Sequence, residues 1–268
     1  MNQRLAFIGG GNMAGAIFGG LLRSGWPASS IAVVEPWAEQ RARIAVAWPG
    51  VTLLPVADAS LARAEIVVWA VKPQTFAEAA AACAGSVSGA LQLSVMAGIR
   101  SDAIARASGS ERVVRAMPNT PALIGQGIAG LVARAAVSAS DRAHVEAVLA
   151  PTGQLLWLER EDQLDAVTAL SGSGPAYVFF FIEAMMEAAE QMGLTREQGR
   201  TLAQATFAGA TALAMQSDES PATLRERVTS KGGTTFAALE SMRGDGIQQA
   251  IVRALLAAQQ RAIELGRN

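Results

Sequence analysis

The stretch Leu5-Ala6-Phe7-Ile8-Gly9-Gly10-Gly11-Asn12-Met13-Ala14-Gly15-Ala16-Ile17 decides the fold. Its four leading apolar residues predict a buried parallel strand, and its glycines predict a tight turn. The spacing of the apolar residues after the glycines predicts a helix. Within it, Gly9, Gly11 and Ala14 fit the dinucleotide pattern G-x-G-x-x-G/A. The first glycine permits the turn, the second lets a pyrophosphate approach the backbone, and the small third residue lets the helix pack on the strand. The N–H groups at the helix N-terminus favour phosphate, so the pattern predicts a dinucleotide site rather than an empty glycine-rich turn.

Composition limits the class of protein. The chain has 268 residues, a formal net charge of −1 and 17% charged residues, so electrostatics give no reason to expect nucleic acid or an anionic membrane as a partner. We find no apolar run of the roughly 18 residues that a membrane span needs, and no signal-peptide layout. Cys83 is the only cysteine and His144 the only histidine, which excludes an internal disulfide and argues against a metal site. We therefore expect a cytoplasmic enzyme.

Strand and helix signals alternate through the first part of the chain. Strands are predicted at residues 31–35, 51–54, 66–71, 91–95 and 112–116, and edge strands at 127–132 and 154–158. With helices between them, they predict an α/β fold with a Rossmann-type doubly wound parallel sheet. Helical signals alone follow residue 160. We expect a dinucleotide-binding domain over residues 1–161 and an all-α helical dimerisation and substrate-binding domain over residues 162–268.

The predicted helix over residues 176–192 is apolar on nearly every side. A helix of this kind must be covered on all sides. About 100 residues of helical chain are too few to cover it, so we infer a homodimer with interleaved helices. The alternative is that the helix packs only on its own sheet domain.

The residues after the second strand bear on the choice of cofactor. Glu35 lies 24 residues beyond Gly11, close to the spacing at which an acid binds the adenosine ribose of NAD. Arg41 and Arg43 follow, and an arginine there could instead bind the 2′-phosphate of NADP or lie on a solvated helix face. The residues therefore leave NADH and NADPH both open.

Three loops follow predicted strand ends on one edge of the sheet, where open α/β sheets bind ligands. They are Lys72-Pro73, Met96-Ala97-Gly98 and Pro118-Asn119-Thr120-Pro121. Asn119 and Lys72 are candidates for hydrogen bonds to the nicotinamide ribose. The alternatives are a rigid turn around Asn119 and a solvated Lys72.

A glycine-rich loop over residues 230–235 leads into a helix in the second half of the chain. Successive N–H groups in such a loop form an anion site that suits a substrate carboxylate, although a flexible helix connection has the same composition. Hydride reduction of a carbonyl usually needs a good proton donor, and this chain has one histidine and one tyrosine. An imine nitrogen is more basic than a carbonyl oxygen, so the scarcity of donors mildly favours a C=N substrate.

These motifs together resemble the pyrroline-5-carboxylate reductase family over the whole chain. The motifs that carry the resemblance are Phe7-Ile8-Gly9-Gly10-Gly11-Asn12-Met13, Ala70-Val71-Lys72-Pro73, Arg115-Ala116-Met117-Pro118-Asn119-Thr120-Pro121, Ser171-Gly172-Ser173-Gly174-Pro175-Ala176-Tyr177 and Val228-Thr229-Ser230-Lys231-Gly232-Gly233-Thr234-Thr235. The resemblance implies reduction of 1-pyrroline-5-carboxylate to L-proline with NADPH or NADH, the last step of proline biosynthesis. It also implies a sheet domain, a helical dimerisation domain and, in many members, rings of dimers.

The resemblance also implies individual roles. The residues it assigns to the dinucleotide are Ile8, Gly9, Gly10, Gly11, Asn12, Met13, Ala70, Val71, Lys72, Pro73, Val95, Met96 and Ala97. Those it places at the substrate are Asp218, Ser230, Gly232, Gly233, Thr234 and Thr235. Among these, Gly233 and Thr234 match backbone donors to the carboxylate, and Thr235 matches the catalytic threonine whose hydroxyl bonds the ring nitrogen.

Two positions depart from the family pattern. Lys231 stands where members usually have proline, and Glu35 stands where members preferring NADPH tend to have small hydroxyl or amide residues. Other readings are a reductase of a related cyclic imine, a two-domain 3-hydroxyacid dehydrogenase or an NADPH-sensing regulator. The dehydrogenase would need a lysine in the first long helix of the helical domain, and residues 176–192 contain none.

Overall fold

The computed structural model describes residues 4–266. The chain forms two compact units. The first, here called the sheet unit, contains the chain up to Ser173 and again from Ala258 onward. The second, here called the helical unit, is Gly174–Ala257.

One sheet of eight strands forms the centre of the sheet unit among the described residues. The strands are β1 (Leu5–Ile8), β2 (Ile31–Val34), β3 (Thr52–Leu54), β4 (Ile66–Trp69), β5 (Leu91–Ser94), β6 (Val113–Met117), β7 (Gly127–Ala133) and β8 (Gly153–Trp157). Their order is β3-β2-β1-β4-β5-β6-β7-β8, and the first six strands are parallel. The predicted α/β fold is therefore confirmed, and each predicted strand is present with its ends moved by one or two residues.

The last two strands run in the opposite direction to the first six. β7 pairs with β6 antiparallel, and β8 pairs with β7 parallel. A parallel neighbour needs a crossover of a dozen or more residues, and the link from Met117 to Gly127 is too short for one. The sheet is thus parallel over its first six strands and mixed at one edge.

Helices cover both faces of the sheet. They are α1 (Asn12–Arg23), α2 (Ala38–Ala47), α3 (Phe76–Ala82), α4 (Ser101–Ser108), α5 (Ala139–Leu149) and α6 (Gln163–Val167). Leu5 and Phe7 of β1 belong to a core with residues of α1, α2 and α5, whereas Ala6 and Ile8 belong to a second core with residues of α3 and α4. Successive side chains of a strand point to opposite faces, so this division shows a sheet buried on both sides.

The helical unit is built from helices of seven to twenty residues. They are α7 (Gly174–Gln191), α8 (Arg196–Met215), α9 (Pro221–Arg227), α10 (Thr234–Gly244) and α11 (Ile247–Leu265), the last of which ends within the sheet unit. Thr195 and Gln198 form a capping box at the start of α8. α7 packs along α8, but in the single chain Phe179 and Phe180 remain 59% and 68% exposed. The apolar helix predicted to be buried on all sides thus leaves a large apolar surface uncovered in one chain.

Among residues 4–266, no helix has the length and apolar composition of a membrane span. No group of three or more His, Cys, Asp or Glu side chains among them is arranged to hold a metal ion.

Candidate functional site

The turn between β1 and α1 requires glycine at its first position. Gly9 has φ +97°, and its N–H donates to the carbonyl of Val34 at 2.9 Å. A Cβ on Gly9 would lie 2.7 Å from the carbonyl oxygen of Ala70. A side chain there would meet fixed backbone in a conformation that L-residues rarely adopt. The geometric reason given for the first glycine of the pattern is therefore confirmed.

The amino end of α1 is open to an anion. Gly11 is its N-cap residue, and within the described chain no side chain caps the helix and no acid stands in its first turn. A Cβ on Gly11 would have no heavy atom within 4 Å, whereas Ala14 is fully buried against the core. The first three N–H groups of a helix have no partner within it, so those of Asn12 and Met13 can face a phosphate. A depression of about 160 Å³ lies here, lined in part by Gly10, Gly11 and Asn12. These features fit a dinucleotide pyrophosphate.

Glu35 holds the turn from the side of β2. Its Oε2 accepts a hydrogen bond from the Gly10 N–H at 2.9 Å, and its Oε1 accepts one from the Trp37 N–H at 3.0 Å. From α2, the Gln40 amide donates to the Gly10 carbonyl at 2.7 Å. The structure therefore places Glu35 directly beside the phosphate-binding turn. Sequence reasoning missed Gln40, since a glutamine in an exposed first helical turn carries no signal.

The two arginines of α2 differ in their surroundings. Arg41 Nη1 donates to the carbonyl oxygens of Glu35 and Pro36, both at 2.7 Å. Arg43 is exposed. Arg41 therefore supports the end of β2, and the exposed position of Arg43 is that of a solvated helix face.

The other predicted dinucleotide residues follow the ends of neighbouring parallel strands. Ile8 pairs with Trp69, and Trp69 pairs with Ser94, so residues 70–73 and 95–97 continue from the same edge of the sheet as the glycine turn. Lys72 is exposed and Met96 is buried. The structure thus brings the predicted dinucleotide set of the sheet unit to one edge.

The Asn119 side chain makes a structural hydrogen bond. Its Oδ1 accepts a hydrogen bond from the Ile128 N–H at 3.0 Å, which joins the end of the β6 loop to the start of β7. This bond fits the rigid-turn alternative. The amide group of Asn119 still has its two N–H donors for a ligand.

A buried ion pair adjoins the same edge and was not predicted. Arg115 Nη1 donates to Glu161 at 2.8 Å, and Ser101 donates to the same carboxylate through its N–H and its hydroxyl, both at 2.7 Å. Burial raises the pKa of Glu161, but the hydrogen bonds from Ser101 and Arg115 outweigh it and leave that pKa below its ordinary value. The network ties β6 and the start of α4 to the segment before α6.

The helical unit contains a second uncapped glycine N-terminus. Gly233 is the N-cap residue of α10, where again no side chain in the described chain caps the helix. The Gly233 N–H, predicted with that of Thr234 as a donor to the carboxylate, instead donates to the Ser230 carbonyl at 3.0 Å. The N–H groups of Thr234 and Thr235 in the first turn are those left for an anion. Gly232 has φ +77°, which the turn before them requires.

The predicted substrate residues fall into two places within this unit. Ser230, Gly232, Gly233, Thr234 and Thr235 share the loop from α9 into α10, where Thr235 is half-buried and Thr234 is exposed. Asp218 is exposed in the turn between α8 and α9. The loop therefore presents backbone N–H groups and hydroxyls together, which suits a small carboxylic acid.

Comparison with known proteins identifies the family of each part of the chain. A family model described as pyrroline-5-carboxylate reductase dimerisation matches residues 161–265, and one described as NADP oxidoreductase, coenzyme F420-dependent, matches residues 4–98. The pyrroline-5-carboxylate reductase of Pseudomonas aeruginosa is 45% identical over 267 residues, covering 98% of this chain and 96% of that protein.

Solved structures lead to the same family. A pyrroline-5-carboxylate reductase from Coxiella burnetii matches with a TM-score of 0.91 at 34% identity, covering 100% of both chains. The Plasmodium falciparum pyrroline carboxylate reductase, solved with NADP bound, matches with a TM-score of 0.86 at 26% identity, covering 99% of this chain and 98% of that one. With the fold, the glycine turn and full-length relatives in agreement, the chain belongs to the pyrroline-5-carboxylate reductase family.

Proposed function

We propose that this protein reduces 1-pyrroline-5-carboxylate to L-proline with NADPH or NADH, the last step of proline biosynthesis. One observation carries the proposal. Each unit contains a helix that begins at a glycine N-cap without a side-chain cap, α1 in the sheet unit and α10 in the helical unit. Two separate anion sites match a reaction that joins a pyrophosphate-containing cofactor to a small carboxylic acid.

We assign roles to the residues from the family resemblance together with the free N–H groups described above. The N–H groups of Thr234 and Thr235 hold the substrate carboxylate, and the Thr235 hydroxyl bonds and orients the ring nitrogen. The C=N nitrogen is basic enough to carry a proton before reduction, so no strong acid is needed from the chain. The dinucleotide, when bound at the N-terminus of α1, supplies the hydride. The hydride goes to the imine carbon, and the π electrons of the C=N bond go to the protonated nitrogen.

We further propose that the molecule works as a homodimer, with a ring of dimers as the larger assembly. The apolar face of α7, including Phe179, Phe180 and Met185, is exposed in the single chain, and an apolar surface of this size calls for a partner to cover it. Residues 1–161 and 162–268 remain the proposed domains. The dimerisation match, which begins at residue 161, supports this division, although the compact units divide at Ser173. Light scattering on the purified protein distinguishes one, two and more chains.

Thr235 provides the test of the proposed reaction. Thr235→Val keeps the shape and removes the hydroxyl, and we expect kcat/KM for 1-pyrroline-5-carboxylate to fall about 10- to 100-fold. The Kd of the dinucleotide should not change, because the sheet unit supplies that site. Thr235→Ser should retain most of the activity, and Thr234→Val is the matched control for the loss of a neighbouring hydroxyl. Unchanged turnover in Thr235→Val would remove Thr235 from the mechanism.

The identity of the substrate is tested by supplying different compounds to the enzyme. Cofactor oxidation is followed with 1-pyrroline-5-carboxylate, with a 3-hydroxy acid in the reverse direction, and with no substrate. Activity with the first alone supports the proposal. Activity with the hydroxy acid, or dinucleotide binding without turnover of either compound, would overturn it.

A further inference from the structure

We propose that Glu35 makes this protein select NADH over NADPH, by binding the free hydroxyls of the adenosine ribose and excluding a 2′-phosphate. The inference rests on the proposed function, because it concerns the cofactor of that reaction. It goes further by assigning the choice of cofactor to one side chain at the end of β2.

The first step concerns position. Ile8 at the end of β1 pairs with Val34 at the end of β2, and the Gly9 N–H donates to the Val34 carbonyl. Glu35 is the next residue, and its carboxylate accepts the Gly10 N–H at 2.9 Å. In a fold of this kind the pyrophosphate lies on the glycine turn and the adenosine ribose lies beside the end of the second strand. The Glu35 carboxylate is therefore held beside the position that the adenosine ribose takes in a fold of this kind.

The second step concerns hydrogen-bonding capacity. Each carboxylate oxygen of Glu35 accepts one backbone N–H, from Gly10 or from Trp37. A carboxylate offers about four acceptor sites, so about two are left for hydroxyl donors. The 2′- and 3′-hydroxyls of NADH are two such donors. The two backbone bonds also hold the side chain in place, so the ribose meets a preorganised acceptor pair.

The third step concerns charge. The 2′-phosphate of NADPH has acceptor oxygens and close to two negative charges, and beside Glu35 it would meet a carboxylate instead of a donor. The nearest cation on the same segment, Arg41, uses its Nη1 to hold the carbonyls of Glu35 and Pro36. The Plasmodium falciparum relative holds NADP, so the family fold itself admits the 2′-phosphate. In this chain the exclusion of the 2′-phosphate must therefore come from individual residues, and Glu35 has the position and the negative charge to cause it.

The test measures binding to the full-length protein without substrate, by isothermal titration calorimetry. The ligands are NADH and NADPH, and then 5′-ADP and 2′,5′-ADP, which lack the nicotinamide and report on the adenosine end alone. We expect the wild-type protein to bind NADH at least about 10-fold more tightly than NADPH, and 5′-ADP more tightly than 2′,5′-ADP.

Two variants and a control separate the effect of Glu35 from a general effect of charge. Glu35→Ser, which leaves room and a hydroxyl, should reverse the preference, and Glu35→Gln, which removes only the charge, should reduce it. Glu39→Gln removes the same charge from an exposed position in the first turn of α2, and it should leave the NADH/NADPH ratio unchanged. A thermal unfolding curve for each variant shows whether the turn is still folded.

The outcomes separate this inference from the proposed function. A wild-type protein that binds NADPH as tightly as NADH, or a ratio unmoved in both Glu35 variants, overturns the inference. If such a protein still reduces 1-pyrroline-5-carboxylate, the proposed function stands. If it binds neither dinucleotide, both proposals fail.

Discussion

The glycine turn allows a sharp prediction, because two of its glycines have opposite surroundings. In Gly9→Ala the new methyl group would lie 2.7 Å from the Ala70 oxygen and 2.9 Å from the Ala70 carbonyl carbon, at φ +97°. Neither partner can move freely, since the Ala70 N–H donates to Ile8 at 2.9 Å and the Gly9 N–H donates to Val34. The left-handed backbone costs about 1–2 kcal/mol and the overpacking about 1–3 kcal/mol. We therefore expect the ligand-free protein to lose about 2–5 kcal/mol, a fall in Tm of roughly 5–15 °C.

Gly11→Ala is the matched comparison. Its methyl group would have no heavy atom within 4 Å, and Gly11 has φ −73°, which alanine adopts without strain. The Tm of the ligand-free protein should stay the same or rise slightly, because alanine lowers the entropy of the unfolded chain. The methyl group would stand where the pyrophosphate approaches, so the Kd of NADH should rise roughly 10- to 100-fold.

Scanning calorimetry without ligand and titration calorimetry with NADH measure the two effects separately. The reasoning is refuted if Gly9→Ala melts at the wild-type temperature, or if Gly11→Ala binds NADH as tightly as the wild-type protein. A loss of stability in Gly11→Ala would equally contradict the observation that a Cβ on Gly11 has no heavy atom within 4 Å.

Two further predictions concern ion pairs of the sheet unit. The hydrogen bond from Arg112 lowers the pKa of Asp141 to about 2, so this carboxylate stabilises the folded state by about 2 kcal/mol above pH 5, and the contribution is lost as the pH falls from about 4 to 2. Urea unfolding should therefore show Asp141→Asn about 2 kcal/mol less stable than the wild-type protein at pH 7, with the difference reduced to less than about 1 kcal/mol at pH 2.5; a constant difference would contradict the linkage. Glu161→Ala leaves the buried Arg115 without its partner, and we expect a loss of about 3–5 kcal/mol. The double variant Glu161→Ala with Arg115→Met should recover much of that loss in the same urea experiment, and failure to recover would show that the carboxylate acts mainly through Ser101.

The fold could be predicted from the sequence where one local rule decided the structure. The runs of β-branched and apolar residues gave each strand to within two residues, and the spacing from Gly9 to Ala14 gave the turn and the helix that follows. The Thr-x-x-Gln spacing from Thr195 to Gln198 is a capping-box pattern that marks the start of α8 in the same local way. In these places the signal lies within a few residues, so no knowledge of the rest of the chain was needed.

Contacts between distant residues could not be predicted in this way. Asn119 was assigned to the cofactor alone or to a turn, and its bond to the Ile128 N–H depends on where β7 begins. Asp245 shows the same limit: an aspartate just before residues 247–265 has the sequence pattern of an N-cap, but Asp245 is the C-cap of α10, and the Gly246 carbonyl accepts the hydrogen bond from the Ala250 N–H that starts α11. An acidic residue between two helices can be the C-cap of the first or the N-cap of the second, and the backbone geometry of the turn determines which of the two it is.

The end of α11 has a practical consequence. From Ala258 onward this helix belongs to the sheet unit, and a Cβ on Gly98 would lie 3.3 Å from the Leu265 carbonyl oxygen. The Rossmann half is therefore assembled from two distant pieces of polypeptide, and expression of the first piece alone would leave the loop after β5 without its backing. Truncation before Leu265 would thus remove backbone that lies against Gly98 and would disturb the nucleotide-binding edge of the sheet unit from a site more than 160 residues away in sequence.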